Sequence, residues 1–228
     1  MSSIGRQGAP PPAGTVAVLF SSEAGRYTSL FPRLNDLWMP DGTEKTFWWE
    51  ERTVALNNAV EAMLKGSSYW IWFISEAHGF DGDILGKLLS RNEAIMSPIV
   101  VENYEPFSPK AWTDIDESGT VRTLTLDQVI GPASLIEVRG SSVIGTLVRR
   151  AVFEAMERPW FKVVNDVSAD IYFNEKARNL GFSAFIDTTS RMSTMSAASV
   201  IPNHKGGRWE LDVQVGDDIS FSQPLRHR

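Results

Sequence analysis

Between Tyr69 and Asn92 the chain reads YWIWFISEAHGFDGDILGKLLSRN, and no other stretch constrains the fold as strongly. Six large apolar residues, Tyr69-Trp70-Ile71-Trp72-Phe73-Ile74, run without a break and then give way to Ser75-Glu76-Ala77-His78-Gly79. A short continuous run rich in aromatic and β-branched residues predicts a strand buried on both faces. Ile84, Leu85, Leu88 and Leu89 follow at the spacing of one helix face. In open α/β sheets ligands bind just beyond the carboxyl ends of such strands, so Ser75 to Gly79 is the first place to expect a site.

The neighbouring segments repeat this alternation. Thr15 to Phe20 (TVAVLF) predicts a short buried strand, and Ser21-Ser22-Glu23-Ala24-Gly25 ends it as a βα loop would. Tyr27 comes next, and Leu30, Phe31, Leu34 and Leu37 follow at helical spacing. Pro40-Asp41-Gly42 is a turn. Glu50 to Lys65 predicts a helix with Val54, Leu56, Ala59, Val60, Met63 and Leu64 on its apolar face and Gly66 as its stop. Asn57 and Asn58 inside it are mediocre helix formers, placed either for hydrogen bonding or simply on the surface. Ile95 to Val101 predicts another strand, and Glu102 to Trp112, with Pro106, Phe107 and Pro109, an ordered active-site loop.

Thr113 to Gly131 fits a loop and an edge hairpin. Leu135 to Val138 and Val143 to Val148 read as strands around a Gly140-Ser141-Ser142 turn. Arg149 to Met156 predicts a short helix, Ala169 to Leu180 a helix ended by Gly181, and Phe182 to Ile186 a strand. Ser190 to Ala198 is small and polar. In the tail, WELDVQV alternates like an edge strand. Strand–helix units followed by mixed elements predict a three-layer α/β domain with a mostly parallel first half. Met1 to Gly14, rich in Gly and Pro, is expected to be a disordered tail.

Composition narrows the function. A hydrophobic share of 43% supports a sizeable core. Eight tryptophans fit core packing first and stacking on sugars or bases second. The net charge of −6 argues against a broad nucleic-acid footprint, while a local basic patch stays open. The absence of cysteine excludes disulfides, thiolate metal sites and thiol catalysis. The first residues lack the basic start and apolar core of a secretory leader, and no apolar run reaches the ~18 residues of a membrane span. A soluble, cytoplasmic protein is the expectation.

Six segments, taken in order, resemble a GT-A-type glycosyltransferase related to family 2 enzymes. VAVLFSSEAG is similar to the first strand and nucleotide-binding loop, and TVALNNAVEAML to the following helix. YWIWFISEAHGF is similar to the strand ending in the Asp-x-Asp motif, and IMSPIVVENYEPFSP to the next strand and its loop. LVRRAVFEAMERPWF and ADIYFNEKARNLGFSAFIDTT resemble the segment before the acceptor region and the Glu-Asp-x-x-Phe helix. The likeness spans roughly residues 15 to 202 and leaves residues 203 to 228 as a C-terminal extension.

The resemblance implies a three-layer GT-A fold, a UDP- or GDP-sugar donor and a glycan, protein or DNA acceptor; small transferases of this type occur in bacteriophages. It implies donor contacts from Ser21, Ser22 and Glu23, which equally suit a plain βα turn, from Asn57 and Asn58, since Leu56-Asn57 or Asn57-Asn58 stands where relatives carry an Arg-Asn pair, and from Ser75, Glu76, Ala77 and His78. Asp170 matches the base that takes the acceptor proton in inverting members; its plainer reading is a helix-start residue. Trp160 and Gly140 are candidates for an acceptor or sugar wall, although Trp160 equally suits a core. The departures bear on metal. Ser75 and Ala77 stand where the two metal-binding acids are expected, Thr194 where a later His is expected, and Ala169 replaces the Glu before Asp170. Glu76 is the one carboxylate left as a metal ligand, and a hard cation such as Mn or Mg wants several oxygen ligands. The expectation is sugar transfer with weak or no metal dependence; the alternative is a degenerate relative that binds nucleotide or glycan without turnover. Asp81 and Asp83 are expected to cap a helix rather than rebuild a metal site. Arg149 and Arg150 are candidates for neutralising a diphosphate, or sit on the surface. His204 and Lys205 lie in the tail, which could fold over a donor.

Overall fold

The apolar run at Trp70–Ser75 becomes the centre of a sheet covered on both sides, as its pattern requires. The computed structural model describes residues 11–20, 30–102, 108–116, 120–129, 134–165, 167–194, 198–205, 208–215 and 219–224, the last three by backbone alone. Ser21, Ser22, Glu23, Tyr27, Pro106 and Phe107 lie outside them.

In chain order the elements are β1 (Thr15–Leu19), α1 (Leu30–Asp36), β2 (Glu44–Trp48), α2 (Arg52–Lys65), β3 (Trp70–Ser75), β4 (His78–Phe80), α3 (Ile84–Ser90) and β5 (Ile95–Val100). Next come β6 (Ala111–Ile115), β7 (Val121–Thr123), α4 (Leu126–Val129), β8 (Leu135–Val138), β9 (Gly140–Ser141), β10 (Leu147–Arg149), α5 (Arg150–Glu154), α6 (Ala169–Asn179) and β11 (Ala184–Thr194). The chain finishes with β12 (Ala198–Lys205), β13 (Arg208–Val215) and β14 (Ile219–Pro224).

The main sheet runs β2-β1-β3-β10-β5-β11-β4, with β8 also on β11. β2, β1 and β3 pair in parallel, as do β5 and β11. β10 lies antiparallel to both β3 and β5, so those five strands all point one way. Alternation along the strands divides the core into two layers. Val16 and Val18 of β1 and Trp70, Trp72 and Ile74 of β3 face α1 and α3, meeting Leu30, Leu34, Ile84, Leu85 and Leu88. Ala17, Leu19, Ile71 and Phe73 face the other way, toward Leu56, Val60 and Met63 of α2, Phe153 of α5 and Phe173 of α6. Each fully buried side chain of this kind contributes about 1.5–3 kcal/mol. The outcome is a helix–sheet–helix sandwich, the predicted three layers.

Several boundaries differ from the sequence reading. Pro11 to Gly14, expected in the disordered tail, is tied down: Trp70 Nε1 donates to Pro12 O, and Tyr69 N donates to Ala13 O. β2 has no strong apolar pattern and forms because β1 offers it a parallel edge. Gly140-Ser141, read as a turn, is instead a short strand against Ala111 and Trp112. The strand expected from Val143 starts only at Leu147, because Gly145 adopts φ 101° in a turn. The helix expected over Arg149 to Met156 is confined to Arg150–Glu154. β11 extends to Thr194, past the predicted Ile186, because Arg191 and Met192 resume pairing with β5 after an irregularity. Asp83 makes no side-chain cap and pairs with Lys87 at 2.9 Å instead. WELDVQV is not an edge: β13 is the middle strand of a separate antiparallel sheet, β12-β13-β14.

Candidate active site

From β1 the chain moves to β2 on one side and then to β3 on the other, so the strand order reverses between β1 and β3. A crevice outside the carboxyl ends of strands at such a reversal is the usual ligand position in open α/β sheets. Here it holds two adjoining cavities. One, of about 640 Å³, is lined by Arg52, His78, Glu102, Lys110, Trp112, Ile144, Ser168 and Asp170 among others. The second, of about 630 Å³, is lined by Leu19, Phe20, Glu50, Glu51, Arg52, Ser75 and Ile144. Arg52 and Ile144 border both.

Asp170 owes its position to α6. Ser168 caps the helix by accepting from Ile171 N at 3.3 Å. Phe173, one turn on, is locked between Phe153 and Phe161 at ring distances of 5.6 and 5.0 Å. Asn174 Nδ2 donates to Ser141 O at 2.8 Å, tying the helix to β9. The carboxylate of Asp170 thereby enters the cleft largely shielded. Its Oδ1 accepts from Val143 N at 3.2 Å, and Arg52 Nη2 donates to Oδ1 and Oδ2 at 2.7 and 2.8 Å. Arg52 is the first residue of α2, fixed there because the Glu51 carboxylate caps the helix on Thr53 N and Val54 N.

The turn after β3 brings the degenerate motif to the same crevice. Ser75 Oγ lies 2.6 Å from His78 Nδ1. Glu76 is buried, with its N–H on Leu19 O at 3.3 Å, and Ala77 is half-buried. Burial, reinforced by the positive charges of Lys110 and Arg52, pushes the His78 imidazole down to about 4, so it is neutral at pH 7. Its Nε2 is buried and has no hydrogen-bond partner among the described residues. Thr194 sits opposite His78 in the β11–β4 pairing, with its hydroxyl donating to Val101 O at 3.0 Å. The tertiary fold thus does bring Ser75–His78 and Thr194 together. As a cation cage the set does not fit: among the described residues no three His, Asp or Glu side chains converge, and the turn offers one carboxylate.

Other expected site residues lie elsewhere. Asn57 spends its whole amide on structure. Nδ2 donates to Thr53 O and Phe161 O at 2.8 and 2.9 Å, and Oδ1 accepts from Trp160 N and Phe161 N at 3.1 and 3.2 Å. Neither Asn57 nor Asn58 lines the crevice. Trp160, a candidate sugar wall, is 3% exposed in the aromatic core, with Nε1 on Phe153 O. Gly140 is covered rather than open: a Cβ there would stand 2.5 Å from Trp112 Cζ2 and 2.7 Å from Asn174 Cβ. Arg150 caps the end of α2 through Met63, Leu64, Gly66 and Ser68 carbonyls, and Arg149 binds Glu93 O and Asn92; both are remote from the crevice.

Sequence reasoning missed Arg52 and Lys110. Lys110 had no local signal. Arg52 had a weak one, since a cation in the first turn of a helix opposes the helix dipole and calls for a compensating partner. No helix among the described residues is long and apolar enough to cross a membrane.

No protein-family model matches the chain, and no curated protein matches it by sequence. Solved structures do. The A197 protein from STIV superposes with a TM-score of 0.55 over 94% of this chain and 95% of that one, at 14% identity. GalNAc-T7, in a structure with UDP, GalNAc and Mn2+, superposes with a TM-score of 0.54 over 81% of this chain and 44% of that one, at 10% identity. Identities this low define the fold alone. It is the GT-A fold, a mixed α/β domain with a mostly parallel central sheet.

Proposed function

We propose that the protein is a glycosyltransferase that moves a sugar from a nucleotide-sugar to an acceptor hydroxyl. The observation that carries this reading is the convergence of Asp170 with the Ser75–His78 turn at the reversal of strand order between β1 and β3. Asp170 takes the acceptor proton as the acceptor oxygen bonds to the anomeric carbon. The bond from that carbon to the donor phosphate breaks, and the nucleoside diphosphate leaves with the electron pair. The single carboxylate in the turn supports weak or no dependence on a divalent cation. UDP- and GDP-sugars, with glycan, protein or DNA as acceptor, are the substrates to screen.

Nucleotide release from a panel of nucleotide-sugars, measured with EDTA and with Mn2+ or Mg2+, tests the reading. Consumption of any one donor supports it, and full activity of Asp170→Asn would remove the proposed base. A second reading, binding without turnover, draws on the Arg52 contact that engages both oxygens of Asp170. Calorimetry with UDP and GDP separates the two when turnover is absent: nucleotide binding supports it, and no binding points to an interaction role.

A further inference from the structure

We infer that Arg52, Lys110 and His78 form a binding site for the donor's diphosphate and take the place of a bridging cation. This rests on the nucleotide-sugar reading above and names the groups that would hold its charged part.

All three side chains border one cavity at the switch point, beside the turn where a metal motif is expected. Arg52 engages Asp170 through Nη2 alone, and its Nε and Nη1 donors have no partner among the described residues. A guanidinium fork presents several donors at fixed angles. One fork can therefore hold the Asp170 carboxylate and a phosphate oxygen at once, bringing proton acceptor and leaving group into register. Lys110 contributes a second cation. It pairs with Glu102 at 3.3 Å with both side chains partly exposed, a contact weak enough to exchange for a phosphate.

His78 supplies the observation independent of the two cations. Its Nδ1 lies 2.6 Å from Ser75 Oγ. If that hydroxyl donates, the imidazole proton resides on Nε2, a buried N–H with no partner. An unsatisfied buried donor is costly, and His78 borders the cavity, so an anionic oxygen that reached Nε2 from it would relieve that cost. Burial first, and then the charges of Lys110 and Arg52, keep the imidazole neutral. An imidazole whose Nε2 carries the proton can donate to a phosphate oxygen and has no lone pair there to ligate a cation.

Inorganic pyrophosphate is the probe, titrated by calorimetry into the full chain in EDTA, followed by UDP and GDP. The expected result is cation-free binding that weakens about tenfold in Lys110→Gln and in Arg52→Gln, roughly one hydrogen-bonded charge each. Arg52→Lys is expected to recover part of the loss. His78→Gln is expected to weaken binding several-fold; should it fail to fold, the partly exposed Lys110 still decides the matter. Pyrophosphate that binds only once Mg2+ or Mn2+ is added, or with equal affinity in all variants, overturns the inference. The donor reading fails separately: pyrophosphate binds in EDTA with this variant dependence, yet no nucleotide-sugar or nucleotide is bound or consumed under any metal condition.

Discussion

Arg52 and Asp170, 118 positions apart, meet across the crevice, with Nη2 2.7 Å from one carboxylate oxygen and 2.8 Å from the other. The contact joins the start of α2 to the start of α6. A cation at the head of a helix opposes the macrodipole, and a carboxylate at the head of another is favoured by it. The pair therefore serves Asp170 more than it serves α2. It sets the orientation of the proposed base before any substrate arrives.

Replacing Asp170 by Asn keeps the shape and removes the proton acceptor. The expected outcome is a fall in transfer rate of about 10²–10⁴-fold with nucleotide affinity nearly unchanged. Steady-state kinetics on the donor identified in the screen, together with calorimetry, checks both halves. A matched loss of affinity would assign Asp170 to binding instead.

Acid should weaken the fold through His78. The imidazole titrates near 6.5 when unfolded and near 4 when buried, so between those values the unfolded chain binds more protons. The stabilisation is complete above the unfolded value and is lost as pH falls toward the folded one. It amounts to about 3 kcal/mol across the window. Urea denaturation at several pH values, comparing the wild type with His78→Gln, measures it: the variant should show a shallower fall.

Asn57 separates structure from donor contact. Asn57→Ala strands the N–H groups of Trp160 and Phe161 and the Phe161 carbonyl, while Thr53 O keeps its helical backbone bond. The expected cost is about 2–4 kcal/mol, read as a lower thermal midpoint. Nucleotide affinity measured well below that midpoint should match the wild type.

Gly140 is held to its size by Trp112. Gly140→Val would press a branched side chain into the indole and Asn174, which itself ties α6 to β9. A loss of about 1–3 kcal/mol is expected, with a further drop in transfer rate as Asp170 shifts. Retention of full stability would show that β9 can move aside.

Much of the fold could be read directly from the chain because its cues are local. A continuous apolar run is satisfied by burial on both faces, and Trp70 to Ile74 is buried throughout, while Tyr69 at the head of the run precedes the strand and is exposed. Val60, Met63 and their neighbours recur at helical spacing because a helix has one buried stripe. Shorter elements left too little pattern: β4 has three residues and β9 two, and both exist through their partners. Trp160 and Asn57 were ambiguous for the same reason. An aromatic ring or an amide is equally at home in a core or a cleft until its neighbours are known.

The sequence by itself determined that a sheet with helices on both sides would form, that a polar turn would follow its central strand, and that Asp170 would head a helix. Periodicity and capping are properties of adjacent residues, and those suffice. Only the tertiary structure decided which groups share the crevice. Arg52 reaches Asp170 and His78 stands beside Lys110 because strand order and helix packing bring distant segments together. Charge and hydrogen-bond complementarity act through space, and nothing in the spacing along the chain encodes them.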